Sequence, residues 1–343
     1  MQRNLKFLII MMVSLLCLTW VLGAAPAPAK EFMSIGTHPV GSFFNVVGTA
    51  VAKVVSDHSE VVPTVKPMKG PVAWLPFMER DGIDLGVLNM WDAEKSWLGE
   101  SVYSKLSGGK GFAVRLVAIS VNNLGCLVVA QDSGIFSYSD LKGKRVGGNM
   151  PVPSLQLQIE AYLANGGVKW SEVTPVPVNS VQEAVAVVIE GRADASGAAA
   201  LGMPVIDELN AKKGARLLQF DTSPEALART RQFFPGYPVK VAPGPENTGV
   251  EKEGYLWGYD IYLICRSNYP DEKVYETLKI LWDHHQELGK IHAGLQKWNP
   301  DVFLTNQFIV PYHPGAVRLY KEKGVWTKEM ESIQAELLKK EKK

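Results

Sequence analysis

The chain has 343 residues, 36 Lys and Arg against 35 Asp and Glu, and 46% hydrophobic residues. So even a balance offers no basic field for nucleic acid or an acidic membrane surface, and leaves a small partner recognised locally as the expectation. Three cysteines are too few for a disulfide framework.

Arg3 and Lys6 precede an uncharged apolar run over residues 7–22, and Gly23, Ala24, Ala25, Ala27 and Ala29 follow. The run falls short of the ~20 apolar residues of a comfortable spanning helix, so residues 1–29 read as a secretory signal peptide cut after Ala24 or Ala29. Cys17 sits among large apolar residues rather than after a small one, which argues against a lipid-modified N-terminus. A periplasmic location follows. Losing Arg3 and Lys6 leaves 34 basic residues against 35 acidic ones, a formal charge of −1. Cys126 and Cys265 lie in apolar, strand-like runs and are expected as buried free thiols, with a bridge as the alternative.

Residues 32–56 read as a short apolar strand, a Gly/Pro/Ser loop and a helix. Such a turn gathers free backbone N–H groups, small residues and aromatics at one point, which suits an anionic small molecule. Residues 61–65 are β-like, Gly70-Pro71 breaks the run, and residues 72–78 form a short helix interrupted by Pro76. Residues 83–88 form a buried strand running into Asn89-Met90-Trp91-Asp92. The same phrase returns a hundred residues later: a turn and strand over 140–148, a helix over 153–165, a strand over 173–178, and a helix over 181–190. Gly82-Ile83-Asp84 and Gly191-Arg192-Ala193-Asp194 punctuate equivalent places, glycine closing a helix and aspartate opening a strand.

Two apolar runs, 116–130 and 255–265, read as extended strands passing between lobes as a double hinge. Residues 271–293 are helical, and 327–343 form a charged terminal helix with Thr327 as its N-cap. The predicted fold is α/β, two Rossmann-like lobes joined by two hinge strands. Lobe one takes residues 30–124 and 258–343, and lobe two takes 125–257; each is long enough for a core of its own.

Ligands sit outside the carboxyl ends of strands in such sheets. Thr37, Ser42, Phe43 and Phe44 in the first loop, and Asn89, Met90 and Trp91 after the second strand pair, are therefore candidate ligand-binding residues. Lobe two offers Asn149 and Ser154 beside a helix start, with Ala198 and Ala199 giving space and backbone N–H groups. The bland alternatives stand beside these: Ser42 and Ser154 as helix caps, and Phe43, Phe44 and Trp91 as core aromatics.

Taken together, these stretches resemble the TAXI group of solute receptors that serve TRAP transporters, which have the type II periplasmic binding protein fold. The resemblance rests on Gly36-Thr37 with Gly41-Ser42-Phe43-Phe44 and Gly48, on the two turns ending at Asp84 and Asp194, on residues 140–146, and on residues 311–324 around Pro311-Tyr312-His313-Pro314-Gly315. It implies an exported, monomeric receptor that captures a small, carboxylate-bearing ligand between its lobes for the membrane subunits of a TRAP transporter. Where that group carries Gly-Ser-Gly-Thr at the second-lobe helix start, this chain reads Gly147-Gly148-Asn149-Met150 and continues to Ser154. Asn45 stands for the usual proline, so the pocket is expected to be greasier and its ligand different. An ABC-transporter binding protein, or the partner of a sensor kinase, is the alternative.

No G-x-S-x-G elbow or Walker loop occurs, and nothing places two carboxylates in a common pocket, so no enzymatic activity and no cofactor are expected. His284-His285 with His292 lacks a metal-binding spacing. His313, between turn residues, is expected to stabilise a turn.

Overall fold

The computed structural model describes residues 31–341. The signal peptide expected over residues 1–29 lies outside the described residues. No helix among them is long and apolar enough to cross a membrane.

Thirteen strands are numbered in chain order: β1 Phe32–Thr37, β2 Val62–Pro67, β3 Leu85–Asn89, β4 Val114–Ile119, β5 Asn123–Cys126, β6 Val128–Ala130, β7 Arg145–Gly148, β8 Thr174–Pro177, β9 Ala199–Ala200, β10 Ala215–Leu217, β11 Tyr237–Val241, β12 Gly254–Tyr259 and β13 Ile261–Arg266. The first sheet runs β2-β1-β3-β13-β4. Its first three strands are parallel, and β13 is antiparallel to both neighbours. In the second lobe β8 pairs with β7, Ala195 bridges β7 and β6, and β6 pairs with β10. The order β8-β7-Ala195-β6-β10 thus repeats the first, with β6 as its antiparallel member.

Between them lies an antiparallel sheet, β11-β12-β5-β9. The two apolar runs cross through it as expected. One passes from β4 in the first sheet through β5 to β6 in the second; the other passes from β12 into β13, with one residue, Asp260, between. Cys126 and Cys265 are buried and free, and burial raises both thiols far above their ordinary range.

The two βαβ units are punctuated by the same bond. Asp84 accepts from the Ser34 N–H at 2.8 Å, and Asp194 accepts from the Arg145 N–H at 2.8 Å, so each carboxylate ties a third strand to the first. Glycine, however, closes only the second helix. Gly191 has φ +74°, but its counterpart is Asp81 at φ +58° rather than Gly82. Aspartate tolerates the left-handed region better than most side chains, and a Cβ on Gly82 would lie 3.2 Å from the Phe77 carbonyl, so that glycine answers to space. In the first lobe Trp74, on the Pro71–Met78 helix, is fully buried flat against the sheet. A Cβ on Gly86 would lie 2.4 Å from its ring, which is why a strand interior tolerates glycine there.

The helix expected over 271–293 stops at Asp283, where His284 leaves helical geometry and 3₁₀ turns follow. Thr327 caps the Lys328–Lys340 helix, accepting from the Met330 N–H at 3.2 Å. His313 caps the Pro314–Glu322 helix through the Gly315 N–H. Helices Met90–Leu98, Val102–Ser107, Pro204–Lys213 and Pro224–Arg231 were not anticipated; they are short and mixed in polarity, and packing rather than periodicity holds them.

Candidate functional site

Four strand-to-helix turns converge between the lobes. From lobe one come the turn after β1, His38 to Phe44, and the turn after β2, with Lys69. Lobe two supplies the helix start after β7, with Val152, Leu155 and Gln158, and the turn after β8, Asn179 to Val181. Ala198, Ala199, Ala200 and Met203 close one wall, and Asn123 of β5 and Tyr259 of β12 form the hinge side. Together they bound one narrow cleft between the lobes.

The first turn is held by its own side chains. Ser42 Oγ donates to the Pro39 carbonyl at 2.7 Å and accepts from the Asn45 N–H at 3.2 Å, capping the Phe43–Asp57 helix. Thr37 Oγ1 donates to the His38 carbonyl and accepts from Asn45 Nδ2, so the asparagine that stands for proline braces the loop. The N–H groups of Phe43 and Phe44, at the first two helical positions, have no intrahelical acceptor. After β8, Ser180 accepts from the Glu183 N–H while Glu183 accepts from the Asn179 N–H, a reciprocal cap that opens the Val181–Ile189 helix toward the same space.

His38 is 2% exposed and stacks on Phe44, ring centroids 4.2 Å apart. Burial lowers its pKa to about 3, so the ring is neutral, and its Nε2 has no hydrogen-bond partner among the described residues. Gln158, 1% exposed, accepts from Tyr162 OH at 3.2 Å, while its Nε2 lies near Tyr259 OH but has no hydrogen-bond partner within 3.5 Å among the described residues. Buried polar atoms without partners are costly, so two on one cavity wall mark where a ligand's polar atoms fit. Asn123 Nδ2 donates to Tyr259 OH at 2.5 Å. With His38 neutral, Lys69 is the one formally charged side chain on the wall, and it makes no ion pair among the described residues.

Five of the eleven residues named from sequence lie on this wall: Ser42, Phe43, Phe44, Ala198 and Ala199. Thr37 is buried behind the loop. Trp91 is a core residue at 8% exposure, and Met90 is half-buried with its N–H on the Asp260 carbonyl. Asn149 is exposed at φ +53°, its N–H on Gln156. Asn89 and Ser154 are brought together but turn away from the cavity: both bond Asp92, which joins the lobes. Ser154 is not a cap; Val152 holds that position.

Gln158, Lys69, Asn179, Ser180, Asn123 and Tyr259 were not anticipated. Ser180 with Glu183 carried a legible S-x-x-E signature ahead of an apolar helix, and Lys69 stood at the mirrored turn. Nothing local marked the others.

The lobes are in contact across the cleft. Gln182 Nε2 donates to the Val40 carbonyl at 3.2 Å, and Ser154 Oγ donates to Asp92 Oδ2 at 2.6 Å. Elsewhere, His58, His284 and Glu287 bring their ligand atoms within 4.8 Å of one another. The two imidazoles stack at 3.4 Å with planes 12° apart, so their lone pairs lie in separate, nearly parallel planes and do not converge on one ion.

The chain is similar to a solved protein from Bordetella bronchiseptica RB50 (13% identity, covering 86% of this chain and 98% of that one, TM-score 0.51) and to PhnD1 from Prochlorococcus marinus MIT 9301, solved with methylphosphonate (13%, 86% and 99%, 0.50). It also aligns with a binding protein component of an ABC phosphonate transporter from Pseudomonas aeruginosa (14%, 90% and 97%, 0.47). At such identities the likeness speaks for the fold: the two mirrored sheets joined by crossing strands are those of type II periplasmic binding proteins. A family model described as the NMT1-like family matches residues 35–324, and the chain belongs to that family.

Proposed function

We propose that this chain is an exported, monomeric solute-binding receptor, which closes two lobes over a small anion and presents it to the membrane subunits of a transporter. The observation that carries this reading is the composition of the cleft wall: one unpaired cation, Lys69, two capped helix starts, and the unpartnered nitrogens of His38 and Gln158, between Phe43, Leu155 and Met203. Each lobe supplies half of these contacts, so a bound solute stabilises the closed state through interactions that an open cleft lacks. Lys69 and the N–H groups near Ser42 and Ser180 take the negative end. The apolar residues hold the body, and Gln158 donates to an acceptor on it.

An ABC-type importer is put ahead of a TRAP transporter as the membrane partner. The TRAP reading rests on the motif resemblance alone, and the NMT1-like match gives it no further support. Uptake in reconstituted vesicles separates the two, since the first depends on ATP and the second on an ion gradient.

A thermal-shift screen of the purified chain over carboxylates, sulfonates, phosphonates and neutral solutes tests the receptor reading. A solute at about a hundred times its Kd adds roughly 2.7 kcal/mol of stability. Shifts confined to neutral solutes contradict the anion assignment, and turnover of a captured solute contradicts a pure receptor.

A further inference from the structure

Asp92 is a carboxylate buried between the lobes, and no cation among the described residues pairs with it. It is 0% exposed, as are Asn89 and Ser154, and Tyr103 is equally buried. Its oxygens accept from three neutral donors: Asn89 Nδ2 at 2.7 Å and Ser154 Oγ at 2.6 Å on Oδ2, and Tyr103 OH at 2.7 Å on Oδ1. Asn89 Nδ2 also reaches Ser154 Oγ at 3.4 Å. Two donors belong to lobe one, while Ser154 sits in the first turn of the lobe-two helix Pro153–Asn165, whose positive dipole end favours an anion. An amide, a phenol and a serine at a helix start form the donor set with which a receptor would hold the carboxylate of a ligand. Here the chain provides that carboxylate itself.

We infer that Asp92 is a built-in anion that latches the closed cleft and fixes which end of it takes a solute's charge. Opening the lobes separates Asp92 from Ser154, and the cross-lobe bond is exchanged for water. In the closed state the donors near Ser154 are already committed, and a second carboxylate brought there meets a like charge with no cation to offset it. Lys69, which no carboxylate of the described residues pairs, is the remaining place for negative charge. The inference about charge placement rests on the solute-receptor reading; the latch does not.

The latch is tested without any solute, by small-angle X-ray scattering and circular dichroism on the mature chain and its variants. Asp92→Ala leaves a carboxylate-sized void ringed by three donors. Its radius of gyration is expected to increase, and millimolar formate or acetate is expected to restore the compact profile where chloride and formamide do not. Wild type is expected to ignore all four. Ser154→Ala removes only the cross-lobe donor, and decides the matter if Asp92→Ala loses its circular dichroism signal; it too is expected to expand while keeping native secondary structure. A Ser154→Ala chain as compact as wild type overturns the latch. So does a folded Asp92→Ala chain that stays compact or that formate and acetate fail to close. Failure of every solute in the thermal-shift screen leaves these results untouched, and failure here leaves solute binding standing.

Discussion

Ser154 Oγ donates to Asp92 Oδ2 at 2.6 Å across 62 positions of chain, and this bond joins a helix of lobe one to a helix of lobe two. It accounts for two residues, Asn89 and Ser154, that point in sequence toward a ligand and in the structure toward Asp92.

Asp92 makes stability depend on pH in a definite sense. Desolvation raises its pKa to about 6 against the lowering pull of its bonds from Ser154, Tyr103 and Asn89. A group whose folded pKa lies above its unfolded value contributes stability that is fully present below the unfolded value, near 4, and is lost as pH rises through 6. His38 acts oppositely: its lowered pKa stabilises above about 6.5, and that stability is lost as pH falls toward 3. The difference between wild type and Asp92→Asn, which cannot ionise there, isolates the first effect. Urea unfolding is expected to show the variant gaining on wild type by on the order of 2 kcal/mol between pH 4 and 7, and levelling above that. A difference that is flat throughout contradicts a raised pKa.

Asp84 and Asp194 are expected to behave as equivalents. Each accepts a strand N–H from the first strand of its lobe, at 2.8 Å in both cases. Asp84→Ala and Asp194→Ala each remove that bond, at a cost on the order of 1 kcal/mol. Chemical denaturation checks this, and a neutral effect in either variant breaks the equivalence.

Gly41 lies at φ +86°, where a Cβ would stand 2.6 Å from Gln182 Nε2 across the cleft. Gly41→Ala is therefore expected to cost roughly 1 kcal/mol in backbone strain and to weaken solute binding besides. Adding Gln182→Ala removes the obstruction but not the strain. Affinity should recover in the double variant while the melting temperature does not; recovery of neither, measured by titration and thermal unfolding, places the effect elsewhere.

Much of the fold was legible because its signals are local. Ser42 and Thr327 cap the helices their sequence positions suggest, the Pro153–Asn165 helix has the bounds its proline and glycine pair predict, and the two Asp turns fall at mirrored places. The first lobe's left-handed residue was misread because Asp81 takes the role glycine has at Gly191, and only the backbone angle reveals it. The site was half legible. Ser42, Phe43 and Phe44 advertise themselves at a strand-to-helix turn, whereas Gln158, Asn123 and Tyr259 reach the cleft from a helix interior and two hinge strands. Asp92, three residues into a short helix, looks like an ordinary first-turn acid. Its burial is created by a lobe whose residues lie far along the chain.

A small anion held at Lys69 is what the receptor reading requires of the cleft. Isothermal titration calorimetry of wild type, Lys69→Met and Gln158→Leu, using the best solute from the anion screen, tests it most directly. One site per chain is expected, with an affinity about three- to tenfold weaker in Lys69→Met, since the lysine is exposed and screened, and a loss on the order of tenfold in Gln158→Leu. The Lys69 effect should shrink as salt rises. Equal affinity in all three chains, or an undiminished Lys69 effect at high salt, would contradict it.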